Sequence, residues 1–301
     1  MRLITFSADG VQRVGVMIEQ SGEEMVVDVC RIDPSIPLSM VDLLAGGYAA
    51  FESVQKAVTR RNSSAVMELQ RVKLLAPVPR PGKIICVGLN YRDHALEGGR
   101  PIPQYPTIFN KYSTCVIGPG EAIRIPKVTN QVDYEAELAV VIGKRCKDVA
   151  EEEAIQVVAG YTCFNDVSAR DYQNRTSQWT VGKSFDTFGP MGPALVTADE
   201  VGDPGNLEVR GVLNGVEMQH SNTRELIFTV PYLIHFLSEV MTLEPGDVIS
   251  TGTPAGVGVF RQPPVFLKAG DEIRVEIERV GTLVNRVTEG DEIGGNWSKK
   301  G

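Results

Sequence analysis

The sequence predicts an α+β protein, mostly β, with its strands in a rolled or barrel-like sheet. Three observations lead there. Gly (30) and Pro (18) are plentiful, which favours many turns and short strands over long helices. Short β-rich stretches are punctuated by the turns EPGD, KAGD and TEGDEIGG. Neither a βαβαβ rhythm nor a GxGxxG stretch occurs, so a parallel doubly wound sheet is not expected.

The alternating stretches RLITFS, RVGVMIE and EEMVVDVC open a small α+β N-terminal domain, placed at residues 1–75. Ser35 or Ser39 is expected to cap a short helix, and FESVQKAVTRR a second one. Pro77, Pro79 and Pro81 then impose an extended joint before a strand at Ile84–Val87. Residues 76–301 make the second domain. In it, EEEAIQVVAG reads as a short helix leading to the strand YTCFND. In TVPYLIHFLSEVMTL, the spacing of Tyr232, Leu233, Phe236, Leu237 and Val240 predicts a helix with that face on the sheet.

Composition narrows the function. Of 301 residues, 43% are hydrophobic and 23% charged, an ordinary globular mixture. A net charge of −8 with no basic, aromatic-interleaved cluster argues against a nucleic-acid partner, and Lys299 and Lys300 read as a solvated tail. No apolar run is long enough to cross a bilayer, so no membrane partner is expected. Nothing at the N-terminus reads as a signal peptide, and five scattered cysteines fit neither zinc nor a disulfide framework. A cytoplasmic location follows, with the mitochondrial matrix as the alternative if a targeting segment has been removed.

VDYEAELAVVIG (132–143) carries Asp133, Glu135 and Glu137 at one parity in an otherwise apolar, β-branched strand. Residues two apart share a face, so Glu135 and Glu137 point together, while Tyr134, Ala136 and Leu138 face away. Two interior carboxylates repel and lose hydration, and a divalent cation offsets both. Asp166, closing YTCFND, is the third anion expected. With no histidine or cysteine among them, the set reads as a Mg²⁺ or Mn²⁺ site with coordination positions open for substrate. The alternative is an edge strand whose glutamates face solvent.

Other segments carry further chemistry. Lys183, in GKSFDTFGPMGP, could neutralise anionic charge beside a metal or lie on a surface loop. STGTPAGVGV offers hydroxyl and backbone N–H donors to an anion, without the P-loop pattern. His94 and Glu97, in NYRDHALEGG, share one side of a helical turn and form an acid/base pair on a glycine-rich segment able to act as a lid, unless they are a surface turn. Arg170 and Gln173, in RDYQNRTSQW, could hold the distal carboxylate of a small acid. His220 and His235 are set aside as turn and helix-rim residues. No nucleophile elbow is present.

NYRDH, YEAELAVVIG, FNDVSARDYQ, GKSFDTFGPMGP and GDVISTGTPAGVGVF occur in one order over residues 81–288. Together they resemble the fumarylacetoacetate hydrolase family, and the small N-terminal module with PPVFLKAGDEIRVEIE suits one branch of it. The resemblance implies a β-roll, a homodimer, and Mg²⁺ or Mn²⁺ on Glu135, Glu137 and Asp166. It implies catalytic roles for His94, Glu97 and Lys183, and substrate contacts from Arg170, Gln173, Thr253 and Gly252. The founding enzyme's additional upstream acidic ligand has no equivalent here, and Tyr172 stands where many relatives carry tryptophan. The activity implied is on a small 2-oxo dicarboxylic acid through an enolate. Oxaloacetate keto–enol tautomerisation ranks first. Oxaloacetate decarboxylation or acylpyruvate C–C hydrolysis follows, then a 2-hydroxyhepta-2,4-dienedioate-type isomerisation.

Overall fold

All seven residues of the Ala136–Ile142 strand are buried, and the molecule is built around them. The computed structural model describes residues 1–99 and 101–290, so the tail lysines and the last part of TEGDEIGG lie outside the described residues. Val158–Asn165 pairs antiparallel along one edge of the central strand and Val248–Ser250 along the other. Outward from these lie Gly189–Thr197 on one side, and Ile84–Gly88 with Thr107–Lys111 on the other. Ile84–Gly88 runs parallel to Val248–Ser250. A second sheet of five strands, from Val216–Asn222 to Ile123–Ile125, packs against the first. The architecture is the expected mostly-β α+β fold.

The large sheet also takes in the N-terminal strands. Arg2–Ala8 pairs antiparallel with Gly189–Thr197, with Arg2 opposite Val196. Ile4, Phe6, Met17 and Val26 bury their side chains together with Ala194. The expected boundary at 75/76 falls at the end of the Lys73–Leu75 strand, and the hydrogen-bonded sheet is continuous between the two segments.

Local chemistry explains the elements. Of the two serines, Ser39 caps the helix Met40–Ala45 by accepting from Asp42 N. EPGD and KAGD close alike: Asp247 Oδ2 accepts from Glu244 N and Asp271 Oδ2 from Lys268 N, each at 2.7 Å. Between them Gly246 and Gly270 supply left-handed backbone (φ +86° and +94°). EEEAIQV forms the expected short helix, of 3₁₀ type over Glu151–Val157, and leads straight into the strand Val158–Asn165.

Two expectations need correction. The Val230–Val240 helix buries Val230, Leu233, Ile234 and Leu237. Val240 is exposed, and Phe228, Tyr232 and Phe236 stack along the half-buried flank. Aromatic self-stacking covers that flank and leaves the aliphatic stripe for the sheet. The second correction concerns alternation. Ala139 and Val141 do pack on one side of the sheet, and Ala136, Leu138, Val140 and Ile142 on the other. Tyr134, however, packs with Ala139 and Val141, because the chain leaves the ladder at Tyr134–Glu135. Val132–Asp133 is a separate short strand, paired with Ser168–Ala169.

Leu138 is fully buried at the centre of the fold. Leu138→Ala should lower unfolding free energy by about 2–5 kcal/mol, as a urea midpoint shift with unchanged slope.

Candidate metal centre and active-site cavity

The break in the strand is what aims the acids. Where the ladder stops, side chains take its place: Glu135 N donates to Asn165 Oδ1 (3.0 Å) and Ala136 N to Gln219 Oε1 (2.9 Å). Asp166 N donates to the Glu135 carbonyl (3.0 Å), which sets the third acid beside the first. One carboxylate oxygen from each of Glu135, Glu137 and Asp166 lies within 4.8 Å of the others, and all three residues are buried. The glutamates of a solvent-facing edge strand would be exposed, so that alternative is excluded.

Three cations reach this centre. Lys183 Nζ bridges Glu135 Oε2 and Asp166 Oδ2, both at 2.7 Å. Arg170 Nη1 lies 2.6 Å from Glu135 Oε1, and its Nε is 2.8 Å from Asp133 Oδ2. Lys111, whose side chain is 0% exposed, donates to Asp166 Oδ1 at 2.6 Å. Glu137 has neutral donors only: Ser250 Oγ (2.5 Å) and Gly252 N (2.9 Å), both to Oε2. With Asp133 included, four buried carboxyl groups face three cations among the described residues, and Glu137 is the one that no cation touches.

The titrations follow from that arrangement. Burial works to raise the Glu135 carboxyl, but the Lys183 ammonium and Arg170 guanidinium hold it well below the usual carboxylate range. Glu137 goes the other way: burial and then the charges of Asp166 and Glu135 push it far up. Lys183 is raised despite its burial, because Asp166 and Glu135 stabilise the ammonium.

A cavity of about 140 Å³ opens onto this floor. His94, Glu135, Glu137, Arg170, Gln173, Lys183 and Thr253 all line it. Asp166 lies in the fully buried cluster behind. Gly252 is not on the wall: its N–H is taken by Glu137 and its backbone bends (φ +105°) against Asn90. Thr253 Oγ1 donates to the Ala136 carbonyl and accepts from Gln219 Nε2, clipping its loop to the acid strand. The short helices Arg170–Gln173 and Thr180–Lys183 are pressed together at Gly182, where a Cβ would meet Gln173 N at 2.4 Å. This contact delivers Lys183 beside Arg170 and Gln173. Arg170 Nη1 also donates to Gln173 Oε1 (2.9 Å), while Nη2 is buried without a partner.

His94 is buried on the helix Arg92–Glu97. Its Nδ1 lies 3.4 Å from Glu97 Oε2, and its ring is 5.9 Å from that of Phe260. His94 is therefore packed, while Glu97 stands at the exposed rim beside it. Glu97 accepts from Gly256 N, and Asp133 from Gly258 N and Val259 N. The glycine loop thus does present N–H donors to anions, but these three take the chain's own carboxylates.

Lys111, Asn165, Gln219, Phe109 and Trp179 also belong to the site, though no sequence pattern marks them. Trp179 covers Gly88 so closely that a Cβ there would fall 2.2 Å from its ring, and Phe109 stands edge-on to it. A nearby signal was available only for Asn165, adjacent to Asp166. The two set-aside histidines stay outside the cavity: His220 bonds Glu208 and Glu217, and His235 the Val149 carbonyl. Asp171 accepts from Thr129, and Arg175 stacks over Tyr172.

An oxygen-only donor set with a residual negative charge suits a hard divalent cation. A centre of this kind, opening onto a cavity with an imidazole and an unpaired guanidinium N–H, is that of a metal-dependent enzyme. The model of the family described as Fumarylacetoacetate (FAA) hydrolase C-terminal matches residues 83–288, and the chain belongs to the fumarylacetoacetate hydrolase family. Oxaloacetate tautomerase fahd2, mitochondrial, of Xenopus laevis is 47% identical over 291 residues, 95% of this chain and 90% of that protein. The human protein named oxaloacetate tautomerase FAHD2A, mitochondrial, is 44% identical, covering 95% and 91%. Among solved structures, maleylpyruvate hydrolase from Sphingobium sp. SYK-6, in complex with manganese(II) ion and pyruvate, is 34% identical. Its TM-score is 0.80, over 97% of this chain and 100% of that one.

Glu137→Gln removes the carboxylate that no cation balances. Calorimetric titration with Mn²⁺ should show affinity falling by about 100-fold or more. The metal-free variant should keep or gain thermal stability, since burial and the neighbouring acids already disfavour a charge at this position.

Proposed function

We propose that the protein is a divalent-metal-dependent oxaloacetate keto–enol tautomerase. The observation that carries this reading is the shared cavity: His94, backed by Glu97, lines it together with Glu135, Glu137 and Arg170, whose buried Nη2 has no partner. The names of the similar proteins from Xenopus and human support the same substrate.

Glu135, Glu137 and Asp166 would hold the cation. When bound, it supplies Lewis acidity, easing negative charge on a keto oxygen. The chain's own residues do the rest. Arg170, through Nη2, and Gln173 hold the distal carboxylate, and Lys183 adds positive charge where the enolate forms. His94 Nε2 takes the enol hydroxyl proton and returns a proton to the adjacent carbon, so the reaction needs no water and no net change of protonation. Glu97 fixes the imidazole from its Nδ1 side and offsets its charge while it holds the proton. Thr253 and its loop fix the floor, and Phe109, Trp179 and Phe260 keep solvent from the walls. The segment of His94 and Glu97 is read as the lid.

Mg²⁺ and Mn²⁺ are both compatible with the oxygen-only set. A homodimer is part of the proposal on family likeness. No nucleic-acid partner is proposed, given the net charge of −8, and among the described residues no helix is long and apolar enough to cross a membrane. Of the two expected compartments, the mitochondrial matrix has the support of the relatives' names. The likeness to maleylpyruvate hydrolase favours a second reading, C–C hydrolysis of an acylpyruvate on the same site.

With Mg²⁺ or Mn²⁺ added, absorbance should show fast decay of enol-oxaloacetate while coupled pyruvate detection stays flat. Pyruvate appearing at the same rate would replace tautomerisation by decarboxylation. His94→Ala should lower kcat by about 10²–10⁴-fold with Mn²⁺ affinity unchanged. A fall in metal affinity would refute the role given to His94.

A further inference from the structure

Asp133 has the same parity as the two metal-site glutamates, yet nothing in the proposed reaction uses it. We propose that Asp133 is a positioning residue: it brackets the carboxylate clamp and the acid/base pair into one geometry. This rests on the tautomerase reading above.

Asp133 is 0% exposed, and each of its oxygens accepts twice. Oδ1 accepts from Tyr134 N (2.9 Å) and Gly258 N (2.7 Å). Oδ2 accepts from Arg170 Nε (2.8 Å) and Val259 N (2.9 Å). Four donors use up a carboxylate's capacity, so Asp133 has none left for a metal. On one side its charge holds Arg170 at Nε, which fixes the guanidinium whose Nη1 meets Glu135 and Gln173. On the other it seats the loop 256–260 through two consecutive N–H groups.

That loop is what holds the acid/base pair. Gly256 N donates to both oxygens of Glu97 (3.0 and 3.1 Å), and Phe260 packs on the His94 ring. Tyr134 grips the same loop as well, its hydroxyl donating to the Gly256 carbonyl (3.2 Å). The loop fits only as glycine at these points. A Cβ at Gly256 would meet Met218 O at 2.1 Å, and one at Gly258 would meet Val265 O at 1.8 Å. Residues 133 and 134 therefore fix, through one rigid loop, the distance between the group that orients the substrate and the groups that move its proton. An error of about 1 Å in such a distance is worth about 100-fold in rate.

Asp133→Asn is the sharpest test, since an amide nitrogen must face a donor whichever way it turns. We expect kcat to fall about 10–100-fold. We expect hydrogen–deuterium exchange at 256–260 and at 92–97 to quicken about 10-fold or more, with 138–142 unchanged. A double-mutant cycle separates positioning from general loosening. If Asp133 acts through Glu97 as well as Arg170, Asp133→Asn lowers kcat several-fold less in the Glu97→Gln background than in the wild type. Losses that multiply, or exchange at 92–97 that does not move, overturn the proposal. Should Asp133→Asn fail to fold, Tyr134→Phe removes the hydroxyl that grips the Gly256 carbonyl and meets Arg261. It should give a smaller loss of kcat with the same quickening at 92–97, and no quickening there overturns the proposal too. If the wild-type chain does not tautomerise oxaloacetate, the functional reading fails, and the exchange measurements still decide the bracket.

Discussion

One imbalance governs the centre of this molecule: four buried carboxylates share three buried cations. Each pairing alone is ordinary, since a carboxylate removed from water needs a partner and a buried lysine needs one equally. Lys111, Arg170 and Lys183 come from three different elements, and all converge on Asp133, Glu135 and Asp166. Glu137 is left with a hydroxyl and a backbone N–H. With all four carboxylates ionised, a bound divalent cation would leave this site with one excess positive charge. That is the sign needed to draw in a dianionic 2-oxo acid and to favour charge on its keto oxygen.

The fold serves that charge pattern. The central strand leaves its ladder at Tyr134–Glu135, and Asn165 and Gln219 satisfy the backbone groups so freed. Without those two amides the break would leave buried N–H groups unpaired, at about 1–3 kcal/mol each. The TGTP loop is tied to the same place through Thr253 and Gln219, so floor and wall are set by one group of hydrogen bonds. Local irregularity is confined to the site, while the surrounding strands stay regular.

Much of this was legible in the sequence. Carboxylates at i and i+2 in a valine-rich strand mark a site because nothing in packing asks for them, and Asp166 was marked by the end of its own apolar run. The short-strand, turn-rich pattern gave the class of fold. Lys111 was not legible: TIFNK reads as any half-exposed strand, and its partner Asp166 is 55 residues away. The burying face of the Val230–Val240 helix was misjudged because periodicity cannot tell an aromatic that stacks on its neighbour from one that enters the core. Tyr134 was misplaced for a related reason: alternation holds only while the ladder continues, and a break held by distant amides leaves no local trace.

The central claim is that one divalent ion joins the three acids. Anomalous diffraction from a crystal soaked in Mn²⁺ tests it directly. The account predicts a single strong peak about 2.1 Å from one oxygen each of Glu135, Glu137 and Asp166. A peak elsewhere, or none at saturating Mn²⁺ with Lys183 still bridging Glu135 and Asp166, would contradict it.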